Sequence, residues 1–221
     1  MHNKAARLRK SRLPSADPLF GARLPPGQVL TERFPILHEG AVPQYDLADW
    51  SLRLFGTLEQ SIKLRYADLL AMPQRQLQCD IHCVTRWSKF DTQWSGVHLQ
   101  DLLQVLKIQP KSAFVMAHAD HDYQTNLRLD DLLHPDSLLA THYHGQPLTA
   151  QHGWPLRLVV AGRYFWKSAK WLRGLEFVEH EQPGFWEQNG FHLHADPFAE
   201  QRFSGDELDI AEDAWRDKEF D

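Results

Sequence analysis

The stretch CDIHCVTRWSKFDTQWSGVHLQDLL, residues 79–103, constrains the fold of this chain more than any other. Residues 77–84 mix Leu, Ile, Cys and Val with single polar residues, the pattern of a buried strand. That strand is expected to run out at Thr85-Arg86-Trp87-Ser88, and residues 91–96 read as a turn. Residues 97–106 then place apolar side chains at 97, 99, 102, 103 and 106, a helical stripe. Cys83 therefore sits at a strand end, where the backbone is fixed while the thiol can meet a cleft.

Several readings of Cys83 compete. A free cysteine is commonly a small buried hydrophobe. A Cys79–Cys83 disulfide is disfavoured, because four residues of one strand separate the Cα atoms by about 13 Å. A zinc site from Cys79, His82 and Cys83 would need neighbours 82 and 83 to face one way, which a strand forbids. No second CxxC or HxxxH pair completes four ligands either. Arg86 and His82, close in sequence, would favour a thiolate at Cys83.

The other elements are short. Residues 50–56 alternate like a half-buried strand, and residues 64–72 form a helix that Pro73 stops. Strands are expected at 112–117, 138–144, 156–161 and 172–178, with a helical turn at 130–133. This pattern supports an α+β or α/β fold. Phe185, Trp186 and Phe191 are read as packing, and His192 and His194 as ordinary strand-edge histidines. In 221 residues, 43% hydrophobic and 11% aromatic content suffices for a real core.

Three segments emerge: a basic, proline-rich arm at 1–33, a domain at 34–203, and an acidic tail at 204–221. The arm carries Lys4, Arg7, Arg9, Lys10 and Arg12, but no apolar run follows Arg12, so no export signal is read there. The tail has a weak helical stripe through Ile210, Ala214 and Trp215. No run approaches the ~18 apolar residues of a membrane span. The net charge of −5 argues against nucleic acid as a partner. Two cysteines make no disulfide framework, which fits a reducing compartment, and a cytoplasmic location is expected.

The run His82-Cys83-Val84-Thr85-Arg86-Trp87-Ser88, followed by Trp94-x-Gly96-Val97 and Leu102-Leu103, resembles the molybdopterin domain of the sulfite oxidase family. More narrowly, it is similar to the single-domain bacterial members. A second motif agrees: His152, Gly153, Pro155 and Arg157, then Ser168-Ala169-Lys170-Trp171. The resemblance covers roughly residues 30 to 200.

The resemblance implies an α+β fold of mixed sheets with short helices and long loops. It also implies an oxidoreductase carrying molybdenum-molybdopterin, with Cys83 as the protein ligand of molybdenum, a soft thiolate on a redox-active metal. His38, His118, His152, Arg157, Ser168 and Lys170 would hold the pterin and its phosphate. Arg157 has an independent argument, since an arginine in an apolar strand needs an anionic partner. Ser168 and Lys170 would share a face if extended. Arg86 would steer a small substrate, a sulfur oxyanion or a sulfoxide, for oxygen-atom transfer, and Tyr123 would face it. No haem domain is expected within this chain, so electrons would pass through a separate partner. The rival reading is a non-catalytic zinc or cofactor module built on Cys79, Cys83 and histidines.

Overall fold

The structure, a computed structural model, describes residues 21–204. The first half of the chain gives β1 (Val29–Leu30), β2 (Ser51–Gly56), β3 (Ile62–Arg65), α1 (Tyr66–Leu70), β4 (Arg75–His82), β5 (Trp87–Val97) and α2 (Leu99–Leu106). The second half gives β6 (Phe114–Ala119), β7 (Gln124–Arg128), α3 (Leu129–Leu133), β8 (Ser137–Tyr143), β9 (Gln146–Pro147), β10 (Arg157–Val160), β11 (Leu172–Val178) and α4 (Phe185–Gln188).

Two mixed sheets organise these elements. One runs β1-β5-β8-β10, with β4 also paired to β5 and β9 to β8, and the other runs β3-β2-β11-β6-β7. The β1–β5 and β2–β11 pairs are parallel and the remaining pairs antiparallel. With short helices between short strands, the fold class is α+β.

Side-chain alternation decides which face each strand buries. On β2, Leu52 and Leu54 are fully buried while Arg53 is exposed, as a period of two requires. These leucines join Val115, Ala117, Leu175 and Phe177 in the larger core, with Leu99, Leu102 and Leu103 of α2. That helix is capped by His98, whose Nδ1 accepts from the Gln100 N–H at 3.2 Å, and it ends at Lys107 in the left-handed region. A second core gathers Ile81, Cys83, Trp87, Trp94, Tyr164, Phe165, Trp166 and Phe191. It is the aromatic one, and it surrounds the cysteine.

Four expectations are corrected. Residues 91–96 are not a turn: β5 runs through them, and the pairing shifts between Cys79↔Thr92 and Ile81↔Lys89, leaving a bulge where Asp91 has φ 55°. Turn-forming residues here encode a bulge within one long strand. The helix expected over 64–72 is divided between β3 and α1, because residues 62–65 pair with β2. The extended arrangement expected around Ser168 and Lys170 is absent: a 3₁₀ turn at Phe165–Lys167 precedes Ser168. The arm drawn at 1–33 reaches into the domain, since Leu24 is buried and β1 pairs with Trp87 and Ser88 of β5. The helix anticipated through Ile210, Ala214 and Trp215 lies outside the described residues.

Gly96 explains why a glycine stands in the second half of the cysteine motif. An added Cβ would lie 2.0 Å from the Leu139 carbonyl oxygen and 2.8 Å from the Ala140 Cα, both backbone atoms of the neighbouring strand β8. Gly96→Ala should therefore lower stability by about 1–3 kcal/mol, the cost of overpacking. Urea unfolding of the variant against wild type measures it.

Candidate active site

At the end of β4 the chain makes a tight turn that presents the Cys83 thiol. The Cys83 N–H donates to the Trp87 carbonyl at 2.9 Å and the Arg86 N–H donates to the Cys83 carbonyl at 3.0 Å. The turn closes at Arg86 with φ 74°. Cys83 borders a cavity of about 500 Å³, a volume typical of small-molecule sites. The Thr85 hydroxyl donates to its Sγ at 3.1 Å. Burial pushes the Cys83 thiol up, against the hydrogen bonds from Thr85 and the charge of Arg202. The thiol is thus held protonated unless something electropositive meets the sulfur.

Aromatic rings make much of the wall: Phe34, Trp87, Tyr123, Phe165, Trp166, Trp171, Trp186 and Phe191. Trp171 has φ 53°, a conformation a bulky residue rarely adopts. Its indole N–H donates to the Ala150 carbonyl at 2.7 Å, and its ring meets His38 edge-on at 5.3 Å. Tyr123 donates from its hydroxyl to the Trp166 carbonyl at 2.5 Å.

Two cations face this aromatic chamber. Arg157 on β10 is 1% exposed, and its donors go to the carbonyls of Leu158 (3.1 Å), His152 (2.9 Å) and Ser168 (2.9 Å). A guanidinium has five N–H donors, so two remain for the cavity. Burial lowers its pKa to about 9, which leaves it charged at neutral pH. Lys170 donates to the Gln151 carbonyl at 2.8 Å, and burial followed by the Arg157 charge brings it down to about 7. Neither cation has a carboxylate among its hydrogen-bond partners within the described residues.

Of the residues singled out by sequence, the structure gathers His38, Cys83, Arg157, Ser168 and Lys170 around one cavity. The Ser168 hydroxyl is already engaged, accepting from the Val160 N–H at 2.9 Å. His152 lies behind the wall: it stacks on Phe34 at 4.2 Å, and its carbonyl is one of those that hold Arg157. Burial pulls its imidazole to about 4, so it is neutral.

His118 and Arg86 do not reach the cavity. On β6, Val115 and Ala117 turn to the core, so His118 emerges on the other face, where Nε2 lies 2.8 Å from Glu176. Arg86 is 2% exposed and off the cavity wall, which removes the steering role expected of it.

Sequence reasoning gave no role to the Thr85 hydroxyl or to Asp120, and read Trp186 and Phe191 as packing although both line the cavity. The zinc arrangement is not assembled: among the described residues no three His, Cys, Asp or Glu side chains could hold a metal together. Cys79 instead lies 3.7 Å from the Thr92 hydroxyl.

The wall is fastened from behind by a buried ion pair. Lys167 Nζ is 2.6 Å from Glu187 Oε1, both side chains 1% exposed, and the Trp166 indole donates to the same oxygen at 2.8 Å. Lys167 also donates to the Asn126 side chain at 2.5 Å. Glu187 belongs to α4, so the pair pins the segment carrying Trp186 to the wall containing Trp166. Glu187→Gln should cost about 3–5 kcal/mol by leaving a buried ammonium without its counter-charge. Replacing both partners with Met should cost less, and denaturant unfolding of the two variants checks the order.

A family model described as an oxidoreductase molybdopterin binding domain matches residues 39–186. A Bacillus subtilis protein described as the uncharacterized oxidoreductase YuiH is 45% identical over 185 residues, 83% of this chain and 93% of its own. A methionine-sulfoxide reductase catalytic subunit from Campylobacter jejuni is 27% identical over 69% of this chain, which spans 59% of that subunit. The solved sulfane dehydrogenase SoxCD of Paracoccus pantotrophus superposes with a TM-score of 0.60 at 20% identity. That alignment covers 69% of this chain and 43% of the other, a likeness of fold. Among the described residues no helix is long and apolar enough to cross a membrane.

Proposed function

The chain belongs to the oxidoreductase molybdopterin binding domain family, and we propose that its aromatic cavity holds a molybdenum-bearing molybdopterin with Cys83 as the protein ligand of the metal. The observation that carries this reading is the pairing of a cavity-facing thiol with two buried cations that lack carboxylate partners among the described residues. A dithiolene-bound metal suits a thiolate, and a phosphate suits the free N–H donors of Arg157. Bound there, the cofactor supplies a two-electron couple at a metal that exchanges an oxygen atom.

The chain's own residues provide binding, orientation and dryness. Cys83 would hold the metal as its thiolate, with the Thr85 hydroxyl donating to the sulfur. Arg157 and Lys170 meet the phosphate, Lys170 taking up a proton as the anion arrives. His38 and the Ser168 backbone border the pterin, while His152 acts indirectly, by holding Arg157 and Phe34. The aromatic wall keeps water from the reacting face.

The substrate we favour is a small sulfur compound, a sulfur oxyanion or a sulfoxide, because relatives named for methionine sulfoxide and sulfane sulfur share this domain. Electrons pass through a separate protein partner. Free cysteines favour a reducing, cytoplasmic setting.

Protein produced in cells that synthesise the cofactor should contain about one molybdenum and one pterin per chain, by plasma mass spectrometry and pterin fluorescence. Cys83→Ser should abolish turnover and lose most of the metal while remaining folded by circular dichroism. Zinc without pterin in the wild-type protein would replace this reading with the metal-module one. Arg157→Met should retain the fold and cut pterin occupancy by roughly tenfold or more, since one charged phosphate contact contributes about that much.

A further inference from the structure

The cysteine turn lies inside the span that matches the family, yet two of its supports come from outside that span, one from each end of the chain. Gln28 precedes β1, is 8% exposed, and donates from Nε2 to the Cys83 carbonyl at 3.0 Å. Arg202 stands near the end of the described chain and is 4% exposed. Its Nη1 donates to the Val84 carbonyl at 3.0 Å, and its Nη2 donates to the Pro26 carbonyl at 3.1 Å. One guanidinium thus ties the N-terminal segment, the cysteine turn and the C-terminal segment together. Its face rests 4.8 Å from the Tyr164 ring.

We propose that Gln28 and Arg202 are positioning residues that fix the Cys83 sulfur, and that Arg202 also sets the electrostatic potential around it, and through it the reduction potential of a metal bound there. The inference rests on the function proposed above.

The Cys83 carbonyl accepts from both Gln28 and the Arg86 N–H, so rotation of the cysteine backbone is blocked from two sides. A buried guanidinium on the adjoining carbonyl adds a positive charge that little solvent screens. Positive potential at a thiolate draws electron density back from the metal, which favours the reduced metal and raises its potential. Buried without a carboxylate hydrogen-bond partner among the described residues, Arg202 is costly to the fold. It also does more than a neutral donor of the same length would.

The test uses full-length protein from cofactor-making cells, as wild type, Arg202→Gln, Arg202→Lys and Gln28→Met. Metal and pterin content are measured first, then a redox titration is followed by the paramagnetic signal of molybdenum. Arg202→Gln should keep its metal but titrate at a lower potential, so that at the wild-type midpoint oxidised metal exceeds reduced by roughly threefold or more. Arg202→Lys keeps the charge and should return the midpoint towards wild type, a rescue that a merely structural role would not give. Gln28→Met should leave the midpoint near wild type but broaden the signal, as the sulfur loses its fixed orientation.

A loaded Arg202→Gln protein with the wild-type midpoint overturns the proposal while leaving the function reading intact. If Arg202→Gln fails to fold, Gln28→Met decides, and a signal identical to wild type overturns it. Wild-type protein without molybdenum would remove both readings together.

Discussion

Arg157 is the constraint around which the rest of the site is arranged. A guanidinium that is 1% exposed cannot be left without acceptors, and here three backbone carbonyls answer it. They come from its own strand, from the turn at residue 152 and from the residue after the 3₁₀ turn at Phe165–Lys167. The same side chain is clasped by rings, with Phe165 at 4.4 Å and Trp94 at 5.3 Å from the guanidinium carbon. Holding one cation in place therefore fixes three pieces of backbone that form the cavity wall. Carbonyl dipoles offset part of the desolvation cost but leave the guanidinium its charge at the cavity wall.

The neighbouring basic residues show how the chain sorts its charges. Lys167 has its counter-charge in Glu187 and stays off the wall, whereas Lys170, three residues later, has none among its hydrogen-bond partners and borders the cavity. Lys167 closes the 3₁₀ turn, and Lys170 follows it. The satisfied ion pair serves the fold by fastening α4, and the unsatisfied cation faces the space where an anion would sit. One short segment thus carries one charge paired inside the fold and one that borders the cavity.

Much of this was legible in the sequence because it depends on local pattern. The alternation of β2, the buried run of β10 and the stripe of α2 each put their apolar residues where periodicity predicts. The two motifs placed Cys83, Arg157 and Lys170, and the fold brought them together. What failed depended on tertiary pairing. Asp91 and Gly96 look like the ends of a turn until β4 and β8 are laid against β5, which converts them into a bulge and a close backbone approach. His118 was misplaced because the parity of a strand against its sheet cannot be read from one strand alone. Trp186 and Phe191 carried no signal beyond being aromatic, since they reach the cavity wall through contacts with residues far along the chain.

Several features of the site are individually unfavourable, and one ligand would relieve those that concern charge. The Cys83 thiol is pushed up by burial, Arg157 and Lys170 are pushed down by it, and Trp171 keeps a left-handed backbone. Natural sequences depart from local preference mainly where function requires it. An electropositive metal on the sulfur would favour the thiolate, and an anionic group beside Arg157 and Lys170 would favour their charged forms. A neutral apolar ligand would relieve neither. A simple anion would satisfy the cations but push the thiol further towards its protonated form. Only a group that is positive at one end and negative at the other matches the whole arrangement, and a metal joined to a phosphorylated pterin has that polarity.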